Sequence, residues 1–162
     1  MKLAHNVKVN VFIKTTDKSV ESVSQDLQKP EEDEKLIREK FLGLFPFNLE
    51  DEKIPVVRST ATGFNKREIV ILEVVLEKER LTNAFLKSLN EKLDPAQRLM
   101  LIRQENRLDE KLDFFIRLDK KSLMNNQLNI TDCGECFHIK ISIAAFPRKR
   151  EVALEVVKKI FS

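Results

Sequence analysis

Three stretches of this chain alternate apolar and polar side chains with a period of two, and no other feature restricts the fold as much. Val7, Val9, Val11 and Ile13 alternate with Lys8, Asn10, Phe12 and Lys14. Leu112, Phe114, Ile116 and Leu118 alternate with Asp113, Phe115 and Arg117, and Phe137, Ile139, Ile141 and Ile143 with His138, Lys140 and Ser142. Successive side chains of a strand point to opposite faces, so each run predicts a half-buried strand. Ile54 to Thr60 and Ile69 to Leu76 read as two further strands, joined by a broad hairpin tip at Thr62-Gly63-Phe64-Asn65-Lys66-Arg67.

Helical spacing fills the intervals. Thr15 to Asp17 offers caps for a helix bearing Val20, Val23 and Leu27; Glu31-Glu32-Asp33-Glu34 opens a second, carrying Leu36, Ile37, Phe41 and Leu44. Leu81, Phe85, Leu89 and Leu93 fall four apart on one stripe. Asp94-Pro95-Ala96-Gln97 is a helix start, with Asp as cap and Gln three residues on, followed by Leu99, Ile102 and Leu108. Pro147 fits the first turn of a closing helix with Val152, Val156, Val157 and Ile160. Strands at 7–13, 54–60, 69–76, 111–118 and 137–144 interspersed with helices predict an α+β fold. It has a single, mainly antiparallel sheet and helices packed on one face. A chain of 162 residues buries roughly 70% of its unfolded surface, so 1–162 is expected to form a single domain.

Several function classes drop out. No stretch approaches the roughly 20 apolar residues that span a bilayer, so no membrane partner is expected. The start, Met1 to Lys8, turns polar too soon for a secretory signal, and two cysteines make no disulfide framework, so a cytoplasmic protein is expected. No phosphate-binding loop, nucleophile elbow or His-Glu-x-x-His occurs, and Asp113, Asp119 and Glu73 make no evident catalytic pair. Cys133-Gly134-Glu135-Cys136 near His138 lacks the second ligand pair of a structural zinc site and precedes a strand rather than a helix. Neither a metal nor another cofactor is expected.

The charge is unevenly placed. Residues 31–55 hold eight acidic and four basic side chains, whereas the last 26 residues hold six basic and two acidic ones. Such runs commonly form a solvated surface. Arg148-Lys149-Arg150 is more specific, because cations at a helix N-terminus oppose its dipole and an anion would relieve them. Glu151 and solvent are the alternative compensation. If the first strand buries its aliphatics, Lys8, Asn10, Phe12 and Lys14 face the other way, together with Phe115, Arg117, His138 and Lys140. Aromatics among basic and amide groups on an open sheet face stack bases and hold phosphates, unless a helix or a second subunit covers them.

Asp113-Phe114-Phe115-Ile116-Arg117-Leu118-Asp119-Lys120 and His138-Ile139-Lys140-Ile141-Ser142-Ile143-Ala144-Ala145-Phe146-Pro147-Arg148-Lys149-Arg150-Glu151 resemble an archaeal family of predicted RNA-binding, exosome-associated proteins. The resemblance covers most of the chain from His5 onward. It implies a fold similar to the ribosomal protein that grips 5S ribosomal RNA, but brings no assigned site residues. The combined expectation is a non-catalytic protein that binds structured RNA, with an RNA-processing assembly such as the archaeal exosome as its expected setting. Arg148, Lys149 and Arg150 are expected to contact phosphates, supported by Lys66, Arg67 and Lys140, with Phe115 and Phe12 as stacking residues. A protein-interaction module using the acidic 31–34 and 50–52 stretches is the competing class, and a small nuclease a third.

Overall fold

In the computed structural model, which describes residues 1–15, 33–62 and 68–162, the alternating runs become strands of one five-stranded sheet. β1 (Ala4–Thr15) lies at its centre, paired antiparallel with β3 (Glu68–Leu76) on one side and β5 (Cys136–Ile143) on the other. β2 (Val57–Thr62) forms the edge beyond β3, and β4 (Asp113–Asp119) the edge beyond β5. The order is therefore β2-β3-β1-β5-β4, antiparallel at every pairing.

One parity of β1, β3, β4 and β5 is largely apolar and buried, including Val7, Val9, Val11, Leu72, Phe114, Ile116, Phe137 and Ile139, whereas β2 is exposed throughout. The buried parity is covered by α1 (Glu34–Leu42), α2 (Glu79–Lys92) and α5 (Arg150–Phe161), whose Phe41, Phe85, Val157 and Phe161 join the same core. Phe41 stacks on Phe137 with ring centroids 6.5 Å apart, and Phe114 meets Phe161 at 6.0 Å. Such pairs contribute about 0.5–1.5 kcal/mol beyond their buried area. Asp94 caps α3 (Pro95–Arg103) as its sequence predicts, accepting from the Gln97 amide at 2.9 Å.

The acidic stretch near α1 has internal partners. Asp33 caps α1 by accepting from the Leu36 amide at 3.1 Å. Glu34 accepts two bonds of 3.1 Å from Arg58 of β2, and Glu52 accepts from Arg80 of α2 at 2.6 and 3.2 Å. The hydrogen bond from Arg58 holds the Glu34 carboxyl below its ordinary range, and that from Arg80 does the same for Glu52.

Several boundaries differ from expectation. β2 begins at Val57 rather than 54, because Ile54 and Val56 pack on the core from a loop; the Ile54 amide donates to the Leu49 carbonyl at 2.9 Å. β4 begins at Asp113 because Asp109 Oδ1 accepts from the Lys111 and Asp113 amides, a tight turn that places Leu112 at φ 65°. In α3 the buried residue is Leu101, whereas Leu99 is 44% exposed. The helix ends at Arg103, and Leu108 reaches the core through an isolated bridge to Phe114. The closing helix begins at Arg150 with Lys149 as its cap residue, so Pro147 lies in the preceding turn. The helix expected around Val20, Val23 and Leu27 lies outside the described residues, as do Glu31 and Glu32.

Candidate nucleic-acid interface

The second parity of the sheet faces away from the helices. From β1 it carries Lys8, Asn10 and Phe12, from β5 His138 and Lys140, and from β4 Phe115 and Arg117. Register aligns these side chains in rows across the strands. Lys8 pairs with Lys140, and Lys140 with Phe115; in the next row Glu73, Asn10, His138 and Arg117 lie side by side. Phe12 is 43% exposed and Phe115 41%, so neither ring is covered by a helix. A shallow hollow of about 400 Å³ opens between them, with Lys8, His138 and Lys140 in its floor.

Charges on this face meet both like and unlike neighbours. Directly opposed like charges destabilise a sheet, and Lys8 faces Lys140. Each has one carboxylate: Lys8 Nζ lies 3.2 Å from Glu73, and Lys140 Nζ lies 3.5 Å from Asp113. Burial pushes the His138 imidazole below its ordinary value, and repulsion from Arg117 and Lys120 adds to the effect. The His138 ring meets Phe12 in a T-shaped contact with centroids 5.6 Å apart. Asn10 Oδ1 is buried without a hydrogen-bond partner, although an unmade bond at a buried acceptor costs stability.

At the β4 edge the surface continues into a second hollow of about 370 Å³, lined by Gln104, Arg107, Phe115, Arg117 and Asp132. Arg107 is half-buried, donates to Gln104 Oε1 at 2.6 Å and to the Phe115 carbonyl at 3.4 Å, and lies 3.5 Å from Asp132. Sequence places Arg107 only near the end of a helix; its contact with Phe115 depends on the 3₁₀ turn Glu105–Arg107 folding back over β4. Arg117 and Lys8 share the strand parity of Phe115 and Phe12, so alternation alone identifies them.

The three cations after Pro147 do not act as a unit. Arg150 Nη1 donates to the Leu108 carbonyl at 2.9 Å and Nη2 to the Glu105 carbonyl at 2.8 Å, which ties α5 to the 3₁₀ turn. The helix begins at Arg150, so the cluster of three cations expected in its first turn becomes Arg148 and Lys149 ahead of the helix and Arg150 at its start, all three exposed. Arg148 donates weakly to the Lys111 carbonyl at 3.4 Å, and Lys149 is exposed. Lys66 and Arg67 lie outside the described residues.

The two thiols of the Cys-x-x-Cys segment differ in exposure, Cys133 being exposed and Cys136 buried. Burial pushes the Cys136 thiol up, away from the ionised form that ligates metal or exchanges disulfides. Its Sγ lies 3.5 Å from His138 Nε2. Glu135, between the cysteines, pairs with Lys14 and with Lys120, whose Nζ also donates to the Phe12 carbonyl at 2.7 Å. That carboxylate binds the loop to β1 and to α4 (Lys120–Met124) behind Phe12.

The open antiparallel sheet face thus sets two half-exposed rings among cations. Residues 26–143 match the model of a family described as RNA binding, and the chain belongs to that family. It is 24% identical over 157 residues to RNA-binding protein PAB1135 of Pyrococcus abyssi, covering 96% of this chain and 92% of that protein. Its fold matches solved structures of DUF54 proteins. One from Archaeoglobus fulgidus superposes with a TM-score of 0.71 at 22% identity, covering 99% of both chains. Another, from Methanothermobacter thermautotrophicus, also gives 0.71, at 25% identity and 99% coverage of both.

Proposed function

We propose that this protein binds RNA through the helix-free face of its sheet, using Phe12 and Phe115 to stack bases and Lys8, Lys140 and Arg117 to hold phosphates. One observation carries the reading: two half-exposed phenylalanines flank a shallow hollow whose floor is basic. A half-exposed phenylalanine keeps ring surface open to a ligand, and every base offers a π-face to it. Phosphate contacts position the chain, and the stacked bases require unpaired nucleotides, as loops of a structured RNA provide. The protein acts in the cytoplasm without catalysing a reaction, as an RNA-holding component of an RNA-processing assembly such as the exosome. Glu73 and Asp113 are each occupied by a lysine on this face, in keeping with a binding rather than a hydrolytic site.

Of the acidic stretches behind the interaction-module reading, Asp33, Glu34 and Glu52 are engaged in a helix cap and two arginine pairs, while Glu50 and Asp51 stay exposed. The decisive test is a titration of a stem–loop RNA against wild type and the Phe12→Ala/Phe115→Ala double variant at several salt concentrations. Loss of affinity in the variant with an unaltered melting temperature supports the reading. Equal affinity of the two proteins removes the sheet face as the site.

A further inference from the structure

We propose that the corner formed by His5 and Phe146 is a second base-binding site, at which an unpaired nucleotide of a single RNA strand stacks on Phe146 while Arg148 and Lys149 hold its phosphates. The inference rests on the RNA reading above, but on different residues. Phe146 is 78% exposed, more than any other large apolar side chain among the described residues. It does not swing on a loose segment. Ala144 and Ala145 before it are buried, the Ala144 amide donates to the Leu3 carbonyl at 3.0 Å, and the Lys149 amide closes the following turn on the Pro147 carbonyl at 2.8 Å.

His5 reaches the same place by a departure from strand regularity. The β1–β5 register shifts between Ala4 and Asn6, and His5 is exposed where alternation with Val7 and Val9 would bury it. A bulge re-aims a side chain in this way. The His5 ring meets Phe146 at 6.1 Å and 83°, an edge contact that props the phenyl ring and leaves most of its surface open. The adjoining cations differ from those of the sheet face. Lys8 and Lys140 each face a carboxylate, whereas Arg148 and Lys149 have no ion-pair partner among the described residues. Unneutralised cations beside a fixed, exposed ring suit a nucleotide better than an apolar protein surface.

The corner is also continuous with the first site. His138, Lys140 and Ser142 share the open parity of β5, and Phe146 follows Lys140 by six residues, so at most about 20 Å of chain separates them. One strand can cross both. A duplex cannot use Phe146, because its bases are stacked inside the helix.

The chain has no tryptophan and no tyrosine, so Phe146→Trp introduces a lone reporter. A short unstructured oligoribonucleotide should quench its emission, and a duplex of the same sequence should not. Phe146→Ala should weaken binding of the single strand roughly 5- to 150-fold, the range for losing one base–aromatic stack, at an unchanged melting temperature. Arg148→Gln and Lys149→Gln should each flatten the log–log salt dependence by about 0.7. If the single strand binds Phe146→Ala as tightly as wild type and leaves the tryptophan emission unchanged, the corner is not a site, while the sheet-face reading stands. Equal losses for duplex and single strand would overturn stacking at Phe146. Failure of wild type to bind any RNA removes both readings, and a protein partner then becomes the occupant to seek.

Discussion

On the helix-covered side of the sheet, β4 and β5 present Phe114, Ile116, Phe137 and Ile139, all buried; on the other side the same two strands present Phe115, Arg117, His138 and Lys140. One backbone supports both sets, and neighbouring residues differ only in parity. On the covered face rings meet other rings and apolar surface is removed from water. The open face opposes two lysines, leaves an asparagine oxygen buried without a partner, as α2 does at Asn83 and Asn90, and holds two rings half in solvent. Local conflicts that the fold does not resolve are expected at functional surfaces, where a ligand supplies the missing partner. The two faces should therefore respond to substitution in different currencies, stability on one and RNA affinity on the other.

The largest effect should appear on the covered face. Phe114→Ala removes a fully buried ring in contact with Phe161 and should cost about 3–5 kcal/mol of stability. Phe115→Ala, one residue along, should change stability by no more than about 0.5 kcal/mol, as exposed positions do. Denaturant titration of both variants checks this. A stability loss at Phe115 comparable to that at Phe114 would mean that the outer ring is packed, and the contrast between the faces would collapse.

The second effect reverses the readout. Phe12→Ala and Phe115→Ala should each weaken RNA binding by about 1–3 kcal/mol per stacked base, with little change in the melting curve. Anisotropy with a labelled stem–loop measures it. A uniform loss across single-stranded and fully duplexed RNA would indicate that the rings shape the surface without stacking on bases.

A third prediction separates cations that are adjacent in sequence. Arg150→Gln breaks two charge-assisted bonds to carbonyls and should cost about 1–2 kcal/mol of stability. Lys149→Gln should leave stability within about 0.5 kcal/mol, because its side chain is exposed and has no partner among the described residues. Equal melting temperatures for the two variants would return Arg150 to the pool of free cations.

Much of this division was legible before any coordinates, and for a physical reason. Alternation is a property of the strand backbone, so Val7 to Ile13 and Phe137 to Ile143 declare both faces at once. Capping is equally local, and Asp94-Pro95-Ala96-Gln97 forms the helix start that its residues predict. What escaped depends on partners distant in sequence. Pro147 suits a first helical turn, yet the helix waits until Arg150 can reach the carbonyls of Leu108 and Glu105, over 40 residues away. Ile54 and Val56 have strand composition but bury their side chains from a loop. The bulge at His5 is a mismatch between two strands and leaves no mark on either one alone. Arg107 joins Phe115 only because a 3₁₀ turn folds over β4.

The smallest expected effect is the one whose sign is most informative. Glu73 lies on the open face, directly opposite Asn10, and pairs with Lys8 at 3.2 Å. Both partners are about a third exposed or more, so the pair itself contributes at most about 1 kcal/mol to stability. To an arriving phosphate, however, Glu73 is a like charge that also occupies the ammonium group needed for contact. Glu73→Gln should therefore raise RNA affinity by a few fold, the equivalent of about 0.5–1 kcal/mol at a solvent-screened site. It should steepen the salt dependence as Lys8 becomes free to neutralise phosphate. Stability should fall slightly, because Lys8 and Lys140 would then face one another with one carboxylate fewer between them. Lys8→Gln should do the opposite on both counts: weaker RNA binding, a salt slope flatter by about 0.7, and a fold that is unchanged or marginally firmer. Measuring the two variants side by side gives a pair of opposite signs that a merely solvated surface cannot produce. If both leave RNA affinity where it was, the charges of this face belong to the sheet alone, and the difference between its two sides is one of solubility rather than of function.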